Sequence, residues 1–102
     1  MKIVVFYITC ANEAEANSLG QQAVELRLAA CANIHPINSI YFWENKLQHD
    51  QEYVLSLKTL SGKIEAVNSF MTMHHSYQVP CILHWEAEVN DEYGKWVEEQ
   101  VR

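Results

Sequence analysis

The 102-residue chain has only three glycines, Gly20, Gly62 and Gly94, and each stands alone, so neither a dinucleotide-binding fingerprint nor a phosphate-binding P-loop is present. With just two prolines as well, against 49% hydrophobic residues, the composition excludes disordered, collagen-like and linker-rich chains. Cysteine is scarce and odd in number: Cys10, Cys31 and Cys81 cannot all pair within the chain, which argues against a disulfide-stapled domain and for reduced thiols in the cytoplasm. Basic residues number seven against thirteen acidic ones, and a net charge of -6 is the wrong sign for binding nucleic acid or an anionic membrane. Long apolar runs are missing too. The stretch Ile3 to Ile8 is too short to cross a bilayer, and Asn12, Glu13 and Glu15 follow it where a signal peptide would carry its small-residue cleavage site. A soluble cytoplasmic protein is expected.

No segment repeats and none is rich in Pro, Gly or Ser, so residues 1–102 read as one domain. A domain of this size buries roughly two-thirds of its unfolded surface, and packing against copies of itself would add to a modest core. Lys2 to Thr9, rich in β-branched and aromatic residues, suits a central strand covered on both faces. Asn12 can cap a helix, with Glu15 completing the capping box, and Ala16, Leu19, Ala23, Leu26 and Ala30 recur at helical spacing. That stripe predicts a helix of about five turns. From Asn33 to Leu47 the period changes to that of a strand, Gln48 to Gln51 reads as a turn, and Tyr53 to Thr59 reads as the returning strand. Ser61 is a cap for a second helix whose stripe is Ile64, Val67, Met71 and His74; Pro80 marks its end. Cys81 to Ala87 forms a fourth strand, and Asn90 opens a terminal helix. The order is that of an α+β, ferredoxin-like βαββαβ fold with an additional C-terminal helix.

The pairs Glu86 with Glu88 and Asp91 with Glu92 read as a solvated strand face and a helix start. His74 and His75 are sharper. Imidazoles suit copper or zinc, and a thiolate would add the softness that Cu(I) prefers. Two readings stay open: a ligand pair where the helix ends, or His74 continuing the apolar stripe while His75 caps the last carbonyls. Cys10 closes the first strand at the mouth of the first helix, which would lower its pKa and permit a Cys10–His75 nucleophilic pair; an inert or ligating cysteine is the plainer reading. Cys31 and Cys81 read as small core residues. Tyr41, Phe42 and Trp43 load one strand with aromatics on both faces, as core or as an interface between subunits. Lys58 is either an edge guard or a cation lining a pocket.

Several blocks then fall into a known order. Arg27 to Ile34 is similar to the motif RLAACxNI, Ser39 to Lys46 to SIYxWEGK, and His75 to Pro80 to HPYxxP; Glu52, Lys58 and Thr59 lie at the matching spacing, and Tyr93 with Trp96 matches YxxW. On these residues the chain resembles the CutA divalent-cation tolerance proteins over nearly its full length. The resemblance implies a cytoplasmic PII-like trimer joined through its long hairpins, no enzymatic reaction, and divalent metal, copper above all, held by histidines of the HPY block with a cysteine near the end of the first strand. His74, His75 and Cys10 are the matching positions. The chain departs from the pattern where Asn45 replaces glycine, Ser76 replaces proline and Cys81 replaces glutamate, and its cysteine stands about two residues later. The alternative function is a PII-like small-molecule module in which Trp43, Lys58, His75 and Tyr77 line an inter-subunit cleft and an anionic ligand meets Lys58, or a trimeric platform for a protein partner.

Overall fold

Lys2–Cys10 forms β1, and its alternation divides the residues between two apolar layers. A computed structural model describes residues 1–102 and places β1 between β3 and β4 in a four-stranded sheet of order β2-β3-β1-β4. The other elements are α1 (Glu13–Glu25), β2 (Cys31–Trp43), β3 (Lys46–Thr59), a 3-10 turn at Ser61–Lys63, α2 (Ile64–His74), β4 (Ile82–Glu88) and α3 (Asp91–Val101). All three strand pairings are antiparallel. This is the predicted ferredoxin-like order with its appended helix.

Val4, Phe6, Ile8 and Cys10 of β1 face α1 and α2, and meet Leu55 and Leu57 of β3 with Leu19, Val67 and Met71 from the helices. Burying one such large side chain stabilises the fold by about 1.5–3 kcal/mol. α1 comes close because Gly20 has no side chain: a Cβ there would lie 2.9 Å from Leu55 Cδ1 and 3.1 Å from Ala32 Cβ. A second layer, under α3, gathers Ile3, Ala30, Val97 and Val101. β1 is therefore fully covered on the face towards α1 and α2, and on the other face only at Ile3, with Val5, Tyr7 and Thr9 half-buried.

Several features differ from the sequence reading. α1 stops at Glu25 instead of running to Ala30, because Arg27 turns left-handed at φ 60 and the amides of Leu28 and Ala29 both close on the Ala23 carbonyl. Ala30 already donates to the Lys58 carbonyl at 2.8 Å, as part of the approach to β2. The hairpin turns at Glu44 and Asn45, φ 51 and 63, and not at Gln48 to Gln51, which run on in β3. Two consecutive left-handed residues make the tight turn whose twist matches the strands it joins. Ser61 offers no side-chain cap, since the 3-10 turn intervenes before α2. His74 is exposed, so the buried stripe of α2 ends at Met71, and Cys31 and Cys81 are half-buried rather than core.

Candidate functional site

The C-terminal end of β1, the start of α1 and the end of α2 converge. Asn12 caps α1 by accepting the Glu15 amide at 2.8 Å, which fixes Glu15 in the first turn. Glu15 then reaches back, its Oε1 accepting from the Ala11 amide and its Oε2 from the Ser76 amide, both at 2.9 Å. α2 ends at His74, and His75 turns extended at φ -72, ψ 142. Its Nδ1 accepts the Tyr77 amide at 3.0 Å, and since an amide can only donate, the neutral ring carries its proton on Nε2 and gives it to the Thr9 carbonyl at 2.8 Å. One donor atom each from Cys10, Glu15 and His75 then lies within 4.8 Å of the others.

Burial, followed by the charges of Glu15 and Glu52, pushes the Cys10 thiol up to about 12. The helix N-terminus was predicted to lower it; burial and the two carboxylates outweigh that effect, so Cys10 is a protonated thiol at neutral pH and no activated nucleophile. Glu15 is shifted the other way. Burial opposes its ionisation, but hydrogen bonds from Ser76 and Ala11 and the proximity of His75 hold its carboxyl below the usual value.

His74 does not join this group. Its ring lies against Phe70, centroids 4.5 Å apart, on the exposed side of α2. The change of backbone at the helix end sends the two neighbouring imidazoles apart. Glu15, which the sequence reading treated as a helix cap alone, takes the third place. The donors suit a borderline or soft cation in kind: a sulfur, an imidazole nitrogen and a carboxylate oxygen. Each is already engaged, so a cation must displace the thiol proton and release hydrogen bonds around His75 and Glu15.

Beside this cluster, between the far half of the hairpin and residues 76–81, opens a cleft of about 700 Å³. Tyr41 and Trp43 of β2 stand on one side and Tyr77 and Val79 on the other, with Thr9, Glu52 and Cys81 also lining it. Glu52 is only 6% exposed. The Tyr77 hydroxyl donates to Glu52 Oε2 at 2.6 Å, and burial together with that carboxylate pushes the hydroxyl up from its ordinary range. Tyr77 thus touches both places, its amide on His75 and its hydroxyl on Glu52. Trp43 and Tyr77 of the predicted group line this cleft, but His75 and Lys58 do not; the Lys58 Nζ lies 5.6 Å over the Tyr93 ring. Glu52 was noticed only for its spacing.

No helix is long and apolar enough to cross a membrane, and all three cysteines are free. Among curated relatives, the CutA homolog of Xenopus laevis is 40% identical over 93 residues, covering 89% of this chain and 62% of its own length, so the chain spans less than two-thirds of that relative. The divalent-cation tolerance protein CutA of Archaeoglobus fulgidus is 36% identical over 96 residues, 93% of this chain and 94% of the relative. A solved structure described as the periplasmic divalent cation tolerance protein CutA of the same archaeon superposes with a TM-score of 0.92 at 35% identity over 100% of both chains. A sequence model of the CutA1 divalent ion tolerance protein matches residues 4–100, and with fold, motif order and these relatives agreeing, the chain belongs to that family.

Proposed function

We propose that this protein is a non-catalytic binder of divalent metal ions, copper foremost, that takes up the ion at Cys10, Glu15 and His75. The observation that carries the reading is the approach of these three donors to within 4.8 Å of one another. His75 supplies the imidazole nitrogen, Cys10 the sulfur and Glu15 an oxygen; His74 plays no direct part. Because the thiol must lose its proton, uptake releases protons and strengthens as pH rises. In this reading the chain works as a single domain in a cytoplasmic homotrimer joined through the exposed hairpin. The three free cysteines support a reducing compartment. Calorimetric titration of copper tests the site: His75→Ala and Cys10→Ala should weaken binding at least tenfold while His74→Ala leaves it unchanged. Equal, weak binding by wild type and His75→Ala removes the metal role.

A second reading, a PII-like module for a small ligand, is favoured by the cleft itself. A volume of about 700 Å³ falls within the range of small-molecule sites. Thermal shift under chelation separates the two readings, since a ligand that stabilises the chelated protein acts without metal.

A further inference from the structure

The cleft has a definite chemical polarity. Of its lining side chains Glu52 alone is charged at neutral pH, and no lysine, arginine or histidine is among them. Lys58, the cation that an anionic ligand would need, sits over Tyr93 instead. The net charge of -6 adds to the bias against anions.

Glu52 is also poised to bind. One carboxylate oxygen, Oε2, is held by the Tyr77 hydroxyl. The other, Oε1, receives no hydrogen bond from the protein, yet no fully buried side-chain oxygen in the molecule is left without a partner, so Oε1 keeps some accessible surface on a residue that lines the cleft. A carboxylate only 6% exposed, with one uncommitted oxygen and a place in the lining of a cavity, is an acceptor already stripped of most of its water. Such an acceptor favours a charged donor over a neutral one. Around it, Tyr41, Trp43 and Tyr77 present aromatic surface, which attracts both apolar rings and cations through the ring quadrupole. Ile40 and Val79 add apolar surface for the body of a ligand, while Ser39, Ser76 and Gln78 bring hydrogen-bonding groups to the same lining.

From this arrangement we infer that the cleft binds small organic cations: a primary or secondary ammonium donating to Glu52 Oε1, attached to a flat apolar body that lies against Trp43 and Tyr41. The inference rests on the small-ligand reading of the cleft and replaces the anion expected at Lys58 with a ligand of opposite charge. It uses a different acceptor from the metal reading, since Glu52 is not one of the three clustered donors, although Tyr77 links the two places.

Three probes that share a phenethyl body test it in the presence of a chelator: phenethylamine, its neutral isostere 2-phenylethanol and anionic 3-phenylpropanoate, titrated calorimetrically into the full chain in whatever assembly it forms. Phenethylamine should bind at least tenfold more tightly than either of the others, and Glu52→Gln should erase that preference while leaving the weak affinity for 2-phenylethanol in place. Should Glu52→Gln fail to fold, judged by its melting curve, Trp43→Ala on the exposed arm serves instead and should weaken all three probes. If the neutral or anionic probe binds as well as the amine, or if Glu52→Gln retains the preference, the cationic assignment is overturned and the small-ligand reading stands. If none of the three binds at millimolar concentration, both are overturned, as they would be if a second copy of the chain fills the cleft.

Discussion

The two halves of the long hairpin carry the same kind of residues and meet opposite fates. In the half beside β1, Val54, Leu55, Leu57 and Thr59 of β3 are 0% exposed. In the far half, Ile40 is 66%, Phe42 73% and Leu47 54% exposed. Alternation is present throughout, so periodicity determines which face a side chain takes but not whether that face is covered. α1, α2 and β1 cover the first half, whereas the second has only the loop at residues 76–81 across an open cleft. An apolar arm that extends the molecule to 46 Å along its longest axis calls for a partner surface. The proposed trimer would provide one, and it would also enclose the edge of β2.

The contrast can be broken most directly by equal deletions in the two halves. Leu55→Ala should cost about 2–5 kcal/mol in denaturant unfolding, through lost transfer energy and the cavity left behind. Leu47→Ala should cost within about 0.5 kcal/mol at concentrations where the chain is monomeric. Equal costs in the monomer would mean that the arm packs on its own chain. Phe42→Asp sharpens the same point at higher concentration. A buried unpaired charge at the centre of an interface should weaken association at least about a hundredfold, seen in sedimentation as a shift to monomer with an unchanged circular dichroism spectrum. If the variant assembles as the wild type does, the arm is not the joining surface.

The turn between the halves offers a smaller effect of opposite sign. Glu44 is held at φ 51, a region that costs a non-glycine residue roughly 1 kcal/mol. Glu44→Gly should stabilise the protein by up to about that amount, while Asn45, a residue that tolerates φ 63, should yield less on the same replacement. Destabilisation by Glu44→Gly would show that the Glu44 side chain contributes contacts that outweigh its strain.

Much of the fold was legible because its signals are local. The β-branched run of β1, the Asn12 cap and the break at Pro80 all act within a few residues of themselves. The hairpin turn was misplaced because Gln48, Asp50 and Gln51 have the polarity of a turn, whereas the actual turn depends on left-handed geometry at Glu44, a residue that does not advertise it. α1 was read too long because Leu26 and Ala30 extend its stripe while Arg27 stops it. The site was half legible. Cys10 and His75 were marked by their own chemistry, but Glu15 enters through a hydrogen bond to Ser76, a residue 61 positions away, and no spacing rule reaches that far. His74 was grouped with His75 by adjacency, which a change of backbone at a helix end cancels.

The smallest effect concerns the buried end of β1. The Cys10 thiol has its ordinary value of 9.0 raised to about 12, by burial first and then by Glu15 and Glu52. A group whose folded pKa is raised favours the protonated state of the fold, so its contribution is complete below about pH 9 and is lost as pH rises from there toward 12. Between pH 8 and pH 10, unfolding free energy should therefore fall more steeply for wild type than for Cys10→Ala, although the variant starts lower because of its cavity. The extra fall over those two pH units should be about 1 kcal/mol, the linkage expected as pH passes the unfolded thiol's value of 9.0. Parallel curves would mean that water reaches the Cys10 sulfur, and the closed end of the hairpin would then differ less from the open arm than their side-chain exposures indicate.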